Sequence, residues 1–209
     1  MKQKQNDLQR FLFITLFLLF GCDTKSSGSA ADIQLHLILE RPSLLMLGDS
    51  ISSFWPEELL EPFRVSKAAF PNRNTQQILT AAENLEGRYR SCTYNGGAND
   101  YLGILTSVEN VRIEETIRRQ KEAITLLKTR CDSIVVIGFW NVEAPWPIAA
   151  VRQLNDKMHS SITDEFMLDP MSEVTPDMLM DGGHLTYRGY QAISPLVLEA
   201  FRLKGIIIQ

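Results

Sequence analysis

Short apolar runs alternate with amphipathic segments along most of this chain, and that alternation constrains the fold more than any other feature. The clearest run is Ser133 to Phe139, Ser-Ile-Val-Val-Ile-Gly-Phe, which reads as a strand buried on both faces. Before it, roughly Val111 to Thr129 reads as a long helix, with Ile113, Ile117, Ile124 and Leu127 on one face and charges on the others. After it, Ile148, Val151, Leu154, Met158 and Ile162 mark a second amphipathic helix. Four further strands are expected at Leu44–Leu47, Phe63–Ala69, Ser91–Tyr94 and Glu165–Leu168. A short helix is expected from Pro56, another from Asn74 to about Leu85, and a last one from near Thr186 to Leu203, kinked at Pro195. Strands separated by helices imply right-handed βαβ units, a parallel sheet and helices on both faces.

In such a sheet, ligands bind outside the carboxyl ends of the strands. The loops there carry a suggestive polar set: Ser50 after the first strand, Asn72 after the second, Asn99 after the third, and Asp181 and His184 before the last helix. A serine hydroxyl is a weak nucleophile without an adjacent base, and histidine suits that task. A carboxylate on the second ring nitrogen fixes the tautomer and stabilises the imidazolium. Asp181 and His184 flank two glycines, so a tight turn can bring both side chains to one side. The Ser50 N–H and the Asn99 amide are candidate donors to an oxyanion. Asp49 is expected to hold its turn through backbone hydrogen bonds, and Asp100 to fix its loop.

Leu-Gly-Asp-Ser-Ile (47–51), Gly-Ala-Asn-Asp (97–100) and Asp-Gly-Gly-His-Leu-Thr (181–186) resemble the first, third and fifth sequence blocks of the SGNH (GDSL-type) hydrolases. The blocks occur in the family's order, and the resemblance spans about residues 43–203. The resemblance implies a flavodoxin-like three-layer α/β/α sandwich with a mainly five-stranded parallel sheet. It implies Ser50 as nucleophile and oxyanion donor, Asn99 as oxyanion donor, His184 as base and Asp181 as its orienter, with no metal or organic cofactor. The second block normally carries a glycine whose N–H joins the oxyanion hole; here Asn72 aligns with it, or Arg73 if the loop is one residue longer. The expected reaction is hydrolysis of carboxylic esters, with short-chain acyl esters, O-acetyl sugars and lysophospholipids as candidate substrates. A non-catalytic binding domain on the same fold is the alternative. Ser50 does not lie in Gly-x-Ser-x-Gly, which argues against the larger α/β-hydrolase fold, and no Gly-rich phosphate loop follows the first strand.

Trp55, Trp140 and Trp146 lie near the expected strand ends and are candidate substrate-binding residues; aromatic core filling is the other reading of each. Cys92 and Cys131 fall at the starts of neighbouring strands, so a bridge and a pair of buried thiols both remain open.

The N-terminus reads as an export signal. Lys2, Lys4 and Arg10 precede an apolar run from Phe11 to Phe20, broken by Thr15 and too short to span a bilayer. Gly21-Cys22 resembles a bacterial lipobox, so residues 1–21 are expected to be removed and Cys22 lipidated; an ordinary secretory signal is the other reading. Residues 22–32, small and polar after the cysteine, would tether a domain at 33–209. The expected location is the bacterial cell envelope, lipid-anchored to a membrane on its periplasmic or surface side. Removing residues 1–21 deletes Lys2, Lys4, Arg10 and Asp7 and changes the net charge from -4 to -6. Acyl chains rather than basic residues would then hold the protein at the membrane. Nucleic acid has no electrostatic support as a partner. The expected partners are a small-molecule ester, lipid or acylated sugar, and the expected assembly is a monomer.

Overall fold

A computed structural model describes residues 41–207. The expected export signal, the expected lipidation site Cys22 and the expected tether lie outside the described residues.

Five strands form one parallel sheet: β1 (Ser43–Gly48), β2 (Arg64–Ala69), β3 (Ser91–Tyr94), β4 (Ile134–Ile137) and β5 (Phe166–Leu168), in the order β2-β1-β3-β4-β5. β4 is buried at every position, as its unbroken apolar run requires. β2, at one edge, is only partly covered, and Arg64, Ser66 and Lys67 stand where a full apolar run would have hydrophobic residues.

The helices are α1 (Ser50–Phe54), α2 (Thr75–Glu83), α3 (Asn110–Lys128), α4 (Ile148–Ser161) and α5 (Tyr187–Leu203). α2, α3 and α4 pack side by side on one face of the sheet. α1 and α5 share the other face, where Trp55, just past α1, donates its indole N–H to Ser194 Oγ of α5 at 2.9 Å and Tyr190 donates to the Ile51 carbonyl at 3.0 Å. This is the α/β/α layering expected. The expected helix from Pro56 is a single 3-10 turn, Glu57–Leu60.

α2 starts with a reciprocal cap: the Asn74 side chain accepts from the Gln77 N–H, and the Gln77 side chain accepts from the Asn74 N–H. In α3, Ile113, Ile117, Ile124 and Leu127 face the core. Cys92 of β3 and Cys131, ahead of β4, form a disulfide with Cα atoms 5.9 Å apart. It lies toward the amino ends of the strands. Because β1 pairs with both β2 and β3, the chain leaves its first strand in one direction and later returns on the other side. That reversal opens a crevice at the carboxyl end of β1, where Ser50 stands.

Candidate active site

β1 ends at Gly48, and Asp49 caps the five-residue helix α1 by accepting the Ile51 N–H at 3.0 Å. Ser50 is thereby the first residue of a helix, with its backbone N–H unclaimed by helical bonding. Asp49 is buried beneath it. Burial raises its carboxyl from 3.8 to about 6, against the opposing pull of the Ile51 N–H and of His184.

Residues 181–184 close on themselves. Asp181 Oδ1 accepts the backbone N–H of Gly183 at 3.1 Å and of His184 at 2.8 Å. Its Oδ2 lies 2.7 Å from His184 Nδ1. Gly182 takes φ +85, the left-handed region a turn of this tightness needs. Although partial burial pushes the Asp181 carboxyl up, the hydrogen bonds from His184 and Gly183 outweigh it and hold the group below the usual carboxylate range. An ionised carboxylate only accepts, so Nδ1 carries the proton toward it and Nε2 is left as an acceptor. His184 Nε2 lies 2.8 Å from Ser50 Oγ. Hydroxyl, imidazole and carboxylate thus form one continuous chain, able to draw a proton off the serine.

The loop before α4 braces this turn. Trp140 donates its indole N–H to the Gly183 carbonyl at 2.9 Å, and Glu143 donates its backbone N–H to the Gly182 carbonyl at 2.6 Å. Trp146 stands edge-on to the His184 ring, with centroids 5.0 Å apart at 87°; Phe54, half exposed, lies 5.6 Å from the same ring.

Asn99 sits in a 3-10 turn, Ala98–Tyr101, and donates one amide hydrogen to the Arg73 carbonyl at 3.0 Å. Its second amide hydrogen has no acceptor among the described residues. The turn is locked by Asp100, which accepts from the Thr75 N–H at 2.7 Å and from the Thr75 and Thr116 hydroxyls at 2.5 and 2.6 Å. Asn72 takes φ +63, alone among the described non-glycine residues. The backbone there adopts the conformation a glycine would favour, and asparagine is among the side chains that tolerate it.

Two of the three candidate tryptophans must be reassigned. Trp55 is fully buried between α1 and α5, with its N–H on Ser194, and has no face toward a ligand. Trp140 is 3% exposed and serves as a strut under the 181–184 turn. Trp146 alone touches the histidine. Nothing in the pattern around Trp140 marks it as a brace, because its partner is a backbone carbonyl 43 residues away. Among the described residues, no three His, Cys, Asp or Glu side chains gather as a metal site would require.

No protein-family model and no curated protein sequence matches this chain. Solved structures do. A member of the lipolytic protein G-D-S-L family from Veillonella parvula superposes with a TM-score of 0.62 at 16% identity, covering 77% of this chain and 98% of its own. A GDSL-like lipase from Bacteroides thetaiotaomicron gives 0.62 at 15% identity, covering 78% and 89%. A lipase/acylhydrolase from Enterococcus faecalis gives 0.59 at 14%, covering 78% and 96%. Five parallel strands in this order, the two helical layers and these neighbours lead to one architecture: the chain has the fold of the SGNH, or GDSL-type, hydrolases.

Proposed function

We propose that this chain is a serine esterase that hydrolyses carboxylic esters, with Ser50 as nucleophile, His184 as base and Asp181 as its orienter. The observation that carries the reading is the unbroken contact chain, 2.8 Å from Ser50 Oγ to His184 Nε2 and 2.7 Å from His184 Nδ1 to Asp181 Oδ2. Ser50 Oγ bonds to the ester carbonyl carbon as its proton passes to Nε2. The carbonyl oxygen becomes an oxyanion, met by the Ser50 N–H and the free amide hydrogen of Asn99, with the Asn72 backbone N–H as a third candidate donor. The imidazolium returns the proton to the departing alcohol oxygen, leaving an acyl-serine. Water then repeats the sequence and releases the acid.

Trp146 and Phe54 flank the histidine on the leaving-group side and would bound the space for the alcohol. The candidate substrates are short-chain acyl esters, acetylated sugars and lysophospholipids. The N-terminal sequence supports export and anchoring through lipidated Cys22, which would set the domain at the envelope surface as a monomer.

A soluble protein starting near Ser26, assayed on p-nitrophenyl esters of two to twelve carbons beside its Ser50→Ala variant, tests the reading. The expected loss in the variant is at least about 10³-fold in kcat. Equal rates in the two proteins would remove Ser50 from the reaction and the proposal with it.

A further inference from the structure

A cleft of about 440 Å³ opens on the α2–α3 side of the candidate active site and shares Asn99 with it. Its other walls include Asn74, Tyr101, Arg112, Glu115 and Arg119. Arg112 and Arg119 are seven residues apart on α3, two helical turns, so both guanidinium groups rise from one face of the helix.

The carboxylates of this cleft are already in use, as is the Asn74 amide oxygen. The Asp100 carboxylate is turned inward onto Thr75 and Thr116. Glu115 is held by Arg118 at 2.7 Å and Arg119 at 2.8 Å. The Asn74 side-chain oxygen caps α2. The donors are not matched in the same way. Arg112 has no carboxylate within 4 Å among the described residues, and its one hydrogen bond is a long 3.5 Å contact to the Asp100 carbonyl. Arg119 meets only Glu115, and its Nε has no partner among the described residues. A guanidinium carries five donors in a fixed fork suited to a carboxylate or phosphate. The wall therefore has guanidinium donors to spare beside carboxylates that are already satisfied, the complement of an oxyanion.

We infer that this cleft is a binding site for an anionic group, carboxylate or phosphate, on the ester substrate, held by Arg112 and Arg119. The inference rests on the esterase reading for the word substrate, but the site itself does not. His184 reaches Ser50 from the turn that precedes α5, and in the proposed mechanism it protonates the departing alcohol from there. The cleft is lined instead by α2, α3 and the 98–101 turn that carries Asn99, which favours an anion borne by the acyl group.

Two measurements test this, the first of them without catalysis. The first is calorimetric titration of the Ser50→Ala protein with glutarate and with glycerol phosphate, beside the same protein carrying Arg112→Gln and Arg119→Gln. Binding of either anion, weakened about tenfold or more by the two arginine changes, is the expected result. The second compares kcat/KM for p-nitrophenyl hemiglutarate with that for p-nitrophenyl valerate, and for acetylated glycerol phosphate with acetylated glycerol. A preference for the hemiglutarate that falls about tenfold in the arginine double variant places the anion on the acyl side. A preference confined to the glycerol phosphate pair places it on the alcohol. Absence of anion binding to the Ser50→Ala protein, or binding indifferent to both arginines, overturns the site whether or not the protein hydrolyses esters. Failure of every ester beside intact, arginine-dependent anion binding would instead overturn the esterase reading and leave the site standing.

Discussion

The indole of Trp146 fills the space that a side chain on Gly183 would need: an added Cβ would lie 2.1 Å from Cε2 of the ring. The same indole stands edge-on to His184. Glycine is therefore required at 183 for close approach, and the tryptophan fixes the turn from outside. Gly183→Ala is expected to displace the ring or the turn. A misplacement of about 1 Å costs on the order of 10²-fold in rate, and overpacking costs about 1–3 kcal/mol of stability. Ester kinetics and urea unfolding check both. Adding Trp146→Ala to Gly183→Ala should recover part of the stability, since the two changes share one clash.

Asn99 spends one amide hydrogen on the Arg73 carbonyl, and the proposed mechanism gives the second to the oxyanion. Asn99→Ala should lower kcat by about 10²–10³-fold with a small change in KM, the signature of a donor used in the transition state. A variant that lost only substrate affinity would assign Asn99 to ground-state binding instead.

Asp49 should make stability depend on pH. Burial, partly offset by the Ile51 N–H, raises its folded pKa from 3.8 to about 6. The folded protein then holds a proton the unfolded chain has released, so stability falls as pH rises from about 4 to about 6 and levels off above. Asp49→Asn keeps an acceptor for the Ile51 N–H and has no charge to bury. Its stability relative to the parent should rise over that window by on the order of 3 kcal/mol. Urea midpoints of the two proteins at pH 4 and pH 7.5 measure it; a difference that stays flat with pH would mean Asp49 titrates near its ordinary value.

The Cys92–Cys131 bridge closes a loop of 39 residues. A loop of that length is worth about 4 kcal/mol in the chain-entropy account. Reduction, or replacement of both cysteines by serine, should lower Tm by roughly 8–16 °C. Because the bridge sits toward the amino ends of the strands, ester kinetics at 25 °C should change little. A loss of activity at temperatures where the reduced protein remains folded would show that the bridge positions the site as well.

The parts of this fold that announce themselves are those whose physics is local. β4 is an apolar run with no charge to place, and the periodic isoleucines of α3 leave one face for the core. The cap at Asn74 and Gln77 spans four residues, and Asp181 reaches His184 within four. α1 was not legible. Ser-Ile-Ser-Ser-Phe is too short to show a period and contains no strong helix former; the Asp49 cap and the packing on α5 hold it. The fates of Trp55 and Trp140 were equally hidden. One indole finds its acceptor 139 residues away and the other 43, and no pattern around an isolated aromatic encodes such distances. The arginine cleft depends on α2 packing against α3 and on Asp100 turning inward, which no single segment specifies.

The turn at 181–184 has one consequence for how such a site could fail. Asp181 grips the backbone of Gly183 and His184 as well as the imidazole, so carboxylate and imidazole ride on one small piece of chain. The seam runs elsewhere, between His184 and Ser50, which lie 134 residues apart and belong to different elements. If the Trp140 and Trp146 supports slip, the Asp181–His184 pair swings away assembled and idle, like a plug pulled from its socket, and the return needs only redocking, with nothing inside the turn to rebuild.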